Sequence, residues 1–102
     1  MKQTQVYAGT GRLRLEASIS WSPGGISVYL CGGDRPHIGS AVLAQPRPSL
    51  TGSGDSCTSS VMNLCGHKDE AIARHLAESL CVHQRVPVCV SAGVHLDERS
   101  RH

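Results

Sequence analysis

The chain reads as an α+β domain, a mainly antiparallel sheet in the order β-β-β-β-α-β with one helix packed on a face of it. Three observations predict this. Leu13, Leu15, Ala17, Ile19 and Trp21 alternate with Arg14, Glu16, Ser18 and Ser20, the period of two of a half-buried strand. Ala73, Leu76, Ala77 and Leu80 are spaced as one face of a 3.6-residue helix. Elsewhere, short runs of strand-forming residues are separated by Gly, Pro and small polar residues.

Taken in order, the strand over 13–21 is followed by Ser22-Pro23-Gly24-Gly25, a tight turn, and by a returning strand from Ile26 to Cys31 with Ile26, Val28 and Leu30 on its apolar face. A third strand is expected from Ile38 to Ala44. The stretch from Gln45 to Asp55, with two prolines and two glycines, suits a mobile connection. Cys57 to Leu64 forms a fourth strand despite the small polar residues in its middle. A helix is expected from His67 to about His83, with Asp69 and Glu70 in the first turn and His83 and Arg85 near the end, charges placed to complement the helix dipole. Pro87 stops the helix, and Val86 to Val90 resumes a strand with proline at its start.

With 102 residues, the chain is expected to form one domain over 1–102 with short flexible termini. A net charge of +2, scattered along the length, leaves no basic stripe for nucleic acid, and the aromatic inventory of Trp21, Tyr7 and Tyr29 offers little to stack bases on. A core built from Val, Leu, Ile, Ala and Cys without any Phe is undersized, which favours a homodimer. The cysteines Cys31, Cys57, Cys65, Cys81 and Cys89 are odd in number and have no C-x-x-C spacing, so reduced, mostly buried thiols are expected rather than a disulfide framework or zinc ribbon. The polar start of the chain and the lack of any long apolar segment lead to the expectation of a cytoplasmic protein with no membrane partner.

Three glycine-flanked polar segments, each with one histidine, carry the chemistry: Gly32-Gly33-Asp34-Arg35-Pro36-His37-Ile38-Gly39, Gly66-His67-Lys68-Asp69-Glu70 and Gly93-Val94-His95-Leu96-Asp97. If the first four strands run up and down, the second and fourth end at the same edge of the sheet, and the last strand returns there after the helix. The three segments then meet. The start of the helix near His67 offers free N–H groups and a partial positive charge to a phosphate, with Arg35 as a planar donor, Lys68 as a mobile charge, and Gly32, Gly33 and Gly66 allowing close backbone approach. The same residues also read as solvated surface charges and simple chain turns.

Two other chemistries fit these residues. His37, His67 and His95, with carboxylates from Asp34, Asp69 and Asp97, could hold a metal ion, although their spacing matches no compact ligand signature. Cys31 and Cys65 precede glycines and could be activated by a histidine, but cysteine is more often an inert core residue. His75 and His83 fall on the helix away from the glycine edge.

At these same positions, Gly32 to Ala44 (GGDRPHIGSAVLA), Gly66 to Glu78 (GHKDEAIARHLAE) and Val90 to Asp97 (VSAGVHLD), the chain resembles the small D-subunit family of gallate and hydroxybenzoate decarboxylases, the LpdD-like prenylated-flavin chaperones. The resemblance implies a fold similar to proteasome assembly chaperone subunits, a dimer, and a non-enzymatic protein that binds reduced prenylated FMN and delivers it to an apo prenylated-flavin-dependent aromatic-acid decarboxylase. Carried over to this sequence, the cofactor-binding positions are Gly32, Gly33, Asp34, Arg35, His37, Gly66, His67, Lys68, Gly93 and His95, with no resident metal. The alternatives are a small metal-dependent enzyme using His37, His67, His95 and Asp97, or a non-catalytic structural decarboxylase subunit. The loop from Gln45 to Asp55 and the short stretch after Asp97 depart from the family pattern.

Overall fold

The computed structural model describes residues 1–11, 14–33, 37–48, 55–64 and 69–95. The elements are β1 (Lys2–Ala8), β2 (Leu15–Ser22), β3 (Gly25–Gly33), β4 (Ser40–Pro48), β5 (Asp55–Asn63), α1 (Glu70–Gln84) and β6 (Val88–His95). They form one six-stranded sheet in the order β1-β2-β3-β6-β4-β5, in which only the β3–β6 pair is parallel. The fold is α+β with a mostly antiparallel sheet, as the sequence predicts.

Two features differ from the expected layout. The N-terminal segment, expected as a short flexible end, is the edge strand β1, paired in register from Lys2 opposite Trp21 to Ala8 opposite Leu15. Its side chains are all exposed, so it has no alternating apolar signal and is held by the backbone ladder to β2. The sheet is also not a simple meander, because β6 inserts between β3 and β4. Strand directions are nevertheless those expected: β3, β5 and β6 all finish at one edge, where β4 begins.

The β2–β3 turn is Pro23-Gly24, and the Ile26 N–H donates to the Pro87 carbonyl at 3.0 Å, which seats the start of β3 beside the start of β6. β4 and β5 run further than expected, to Pro48 opposite Asp55, so part of the predicted mobile connection is hairpin; residues 49–54 lie outside the described residues. Pairing of β4 with β6 ends at Ala44 opposite Val88. Pro46 and Pro48 therefore sit where β4 has one neighbour, and their missing donors cost no central ladder.

The helix α1 packs on β4, β5 and β6 through the buried Ala73, Ala77 and Cys81, against Val42, Ala44, Val88, Val90 and Ala92. The core is made of small side chains; its largest fully buried members are four valines, Cys81 and Ser40. Leu76 and Leu80, expected on the buried face, lie half-buried at its margin. The helix ends at Arg85, which takes a left-handed conformation (φ 58°) and donates its N–H to the Cys81 carbonyl at 2.8 Å.

Candidate functional site

The ends of β3, β5 and β6 and the starts of β4 and α1 form one rim of the molecule. At the centre of this rim, Gly32 lies opposite Val94 and Gly33 opposite His95 in the parallel β3–β6 register. The chain then returns through His37-Ile38-Gly39 into β4, and the Gly39 N–H donates to the Ala92 carbonyl at 2.8 Å. On the far side, the Leu64 N–H donates to the Gly39 carbonyl at 2.8 Å. The first and third glycine segments are thus joined at the rim, and Asp69, of the second, joins them.

Asp69 is the point of contact. It precedes the first turn of α1, yet its carboxylate makes no cap to that helix. One oxygen, Oδ1, accepts the Val94 N–H at 3.1 Å, beyond the point where β4 stops pairing with β6. The other, Oδ2, lies 3.9 Å from His37 Nε2, and the Asp69 side chain is only 13 % exposed against 42 % for His37. A carboxylate thus takes up a strand donor on the side where β4 no longer runs, and faces an imidazole. Among the positions drawn from the sequence, Asp69 figured only as a helix-dipole residue and as a carboxylate of the metal alternative. Its place directly after Gly66-His67-Lys68 was the available signal.

A second network supports the same rim. The buried Ser40 hydroxyl donates to Asn63 Oδ1 at 2.6 Å, Asn63 Nδ2 donates to Glu70 Oε1 at 2.8 Å, and the Arg74 guanidinium pairs with Glu70 Oε2 at 2.7 Å. β4, β5 and α1 are fastened together by it.

The glycines serve the chain's own packing. A side chain on Gly93 would run into the His37 carbonyl, one on Gly32 into the Arg14 carbonyl, and one on Gly39 into the Asp69 carboxylate. Gly33, at φ 77°, turns the chain out of β3. Close approach, expected of these glycines for a ligand, is here the approach of backbone to backbone.

Of the positions drawn from the sequence, Gly32, Gly33, His37, Gly93 and the backbone of His95 come together. Asp34, Arg35, Gly66, His67, Lys68, Asp97 and the His95 side chain lie outside the described residues. The helix begins at Glu70 rather than near His67, because Asp69 is its N-cap, so the N–H groups of the first turn belong to Glu70 and its successors. Among the described residues, no group of three His, Cys, Asp or Glu side chains is placed to hold a metal ion; three of the four alternative ligands are outside that set or have undescribed side chains. The Cys31 thiol is buried and lies 3.8 Å from Glu16 Oε1, and burial first, then the Glu16 charge, push its pKa up. A thiol held protonated is a poor nucleophile. His75 and His83 are exposed on α1.

Among the described residues, no helix is long and apolar enough to cross a membrane. No curated protein matches the chain. By fold, the chain is similar to a chain in the crystal structure of a novel chaperone complex for yeast 20S proteasome assembly, with a TM-score of 0.60, 15 % identity, and coverage of 97 % of this chain and 80 % of that one. Residues 9–102 match the family model for the prenylated flavin chaperone LpdD-like domain, which takes in every element from β2 onward and the whole rim, and the chain therefore belongs to that family.

Proposed function

We propose that this protein is a chaperone that binds reduced prenylated FMN and hands it to an apo prenylated-flavin-dependent aromatic-acid decarboxylase in the cytoplasm, without turnover of its own. The family match over residues 9–102 carries this reading. The gathering of Gly33, His37, Gly93 and His95 at one rim supports it, since cargo spanning a phosphate and a ring system needs several segments within reach.

Electrostatics orient the cargo. The Asp69 carboxylate disfavours a phosphate beside it, so the phosphate belongs with Arg35, Gly66, His67 and Lys68. His37, half exposed and backed by Asp69, and His95 then face the flavin and its prenyl-derived ring. Asp34, in the same segment as Arg35, is a further cofactor-binding position, and Gly32 keeps the end of β3 close to β2.

Anaerobic titration with reduced prenylated FMN, beside oxidised FMN as a control, tests the proposal. Saturable, reduced-form-selective binding followed by activation of an apo decarboxylase is expected. Absence of saturable binding removes the reading.

A further inference from the structure

Cys57 and Cys81 take no part in the rim, and the joint between β5 and α1 sets them against each other. The two elements run antiparallel and are matched by side-chain bonds: Asn63 Nδ2 donates to Glu70 Oε1 at 2.8 Å, and the Ser59 hydroxyl donates to Glu78 Oε2. From Asn63 back to Ser59 the strand covers about 13 Å, and from Glu70 to Glu78 the helix covers about 12 Å. A further step of about 7 Å, from Ser59 back to Cys57, reaches the helix turn that carries Cys81 and Val82. Val82 faces outward, 36 % exposed, whereas Cys81 has no exposed surface and belongs to the core. Cys57 alternates with Ser59, Val61 and Asn63 on the helix side of β5 and packs on that same core.

The two thiols differ in access. Cys57 is half-buried and Cys81 fully buried, but a cleft of about 240 Å³ walled by Pro46, Ser56, Cys81 and Arg85 lies at this joint. Cys57 is opposite Pro46 in the β4–β5 register and next to Ser56 in the chain, so the cleft opens beside both thiols. Burial first, then the charges of Cys57 and Glu78, push the Cys81 pKa up, which leaves Cys57 the more reactive member. Cys31 and Cys89 alternate onto the opposite face of the sheet from Leu30, Val88 and Val90, so the sheet separates them from this pair.

We infer that Cys57 and Cys81 are a redox-reactive pair, which a hydroperoxide converts into a disulfide joining β5 to α1. The Cys57 sulfur attacks the O–O bond and keeps one oxygen as a sulfenic acid, while the other oxygen leaves with the thiol proton as an alcohol, or as water from hydrogen peroxide. The Cys81 sulfur then attacks the Cys57 sulfur, the S–S bond forms, and the hydroxyl leaves as water with the Cys81 proton. The electron pair lost by the two thiols is the pair that reduces the peroxide. The bond closes residues 57–81 into a loop that contains Gly66, His67 and Lys68, so oxidation away from the rim tethers one of its segments. The pairing itself is independent of the cargo.

Hydrogen peroxide applied to the full chain, followed by alkylation in denaturant, tests it. All but two of the five cysteines should remain alkylatable, peptide mapping should place the link between Cys57 and Cys81 of one chain, and dithiothreitol should restore every thiol. Cys81→Ala should stop at a sulfenic acid on Cys57 that dimedone traps, and Cys57→Ser should keep all its remaining thiols at the same dose. Mapping the wild-type chain needs no variant, so the test stands even where Cys81→Ala fails to fold. A wild-type chain that keeps all five thiols, or that carries sulfinic acid at Cys57 without a link, overturns the inference. So does a link that maps to Cys31, Cys65 or Cys89, or that joins two chains.

Discussion

The carboxylate of Asp69 accepts the main-chain N–H of Val94 at 3.1 Å, fastening the start of α1 to the end of the central strand β6. A charged acceptor on a mostly buried donor is worth about 1.5–3 kcal/mol. Asp69→Ala should therefore lower unfolding free energy by about that amount in urea titration, with Asp69→Asn, which keeps an acceptor oxygen, losing less. Equal losses for the two would mean that the charge facing His37, rather than the Val94 bond, sets the stability.

Gly93→Ala places a methyl against the His37 carbonyl, so the crossing segment must move. The expected cost is about 1–3 kcal/mol, as for other overpacking changes. NMR shifts at His37 and Ile38 should change more than those at the distant β2–β3 turn; an unperturbed crossing would contradict the packing described.

How far the sequence revealed this arrangement depends on what holds each part. β2, β3 and α1 were legible because apolar and polar residues alternate from Leu15 to Trp21 and apolar ones recur at helical spacing from Ala73 to Leu80. β1 was not, since Lys2 to Ala8 is exposed on both faces and only its ladder to β2 makes it a strand. The insertion of β6 between β3 and β4 left no local mark, for pairing partners are chosen across the whole chain. The meeting of Gly33, His37 and Gly93 followed from strand directions alone, which insertion did not alter. Asp69 does stand at the helix start, but its bond to Val94 was not legible, because nothing local in the sequence marks a partner on β6.

Leu76 is half-buried, and Leu76→Ala should cost less than about 2 kcal/mol, below the usual range for a fully buried leucine. Ala77 has no exposed surface under α1, so Ala77→Leu should destabilise more, by about 1–3 kcal/mol or beyond. Urea midpoints in the opposite order would place the helix face incorrectly.

Replacing Arg35 or Lys68 by Ala should weaken binding of reduced prenylated FMN roughly tenfold or more, the worth of one charge-assisted hydrogen bond, and leave the thermal midpoint unchanged. A loss of thermal stability in Arg35→Ala equal to that of Leu76→Ala would mark the arginine as structural.

Alkaline pH should destabilise the fold. Burial is the main cause that pushes up the pKa of Cys31, Cys81 and Tyr29; Glu16 adds to it at Cys31, Cys57 and Glu78 at Cys81, and Cys31 at Tyr29. Each group ionises more readily unfolded than folded. Their contribution is fully present below the ordinary thiol value of 9.0 and is lost as pH rises through the folded values. Urea midpoints measured from neutral pH to about pH 10.5 should fall at the upper end, and less steeply in Cys31→Ala and Cys81→Ala. A midpoint flat across that span would show the thiols to be solvated.

The placement of β6 has a consequence for biosynthesis. The middle of the sheet is supplied by the last of the described strands, so until β6 leaves the ribosome the nascent chain holds two separate hairpin units, β1–β3 and β4–β5 with α1, with no strand to join them. Such distant pairing slows folding and leaves sticky edges waiting. A nascent chain stalled before Val88 should thus remain protease-sensitive throughout, with resistance arriving in one step once β6 is free to slot in.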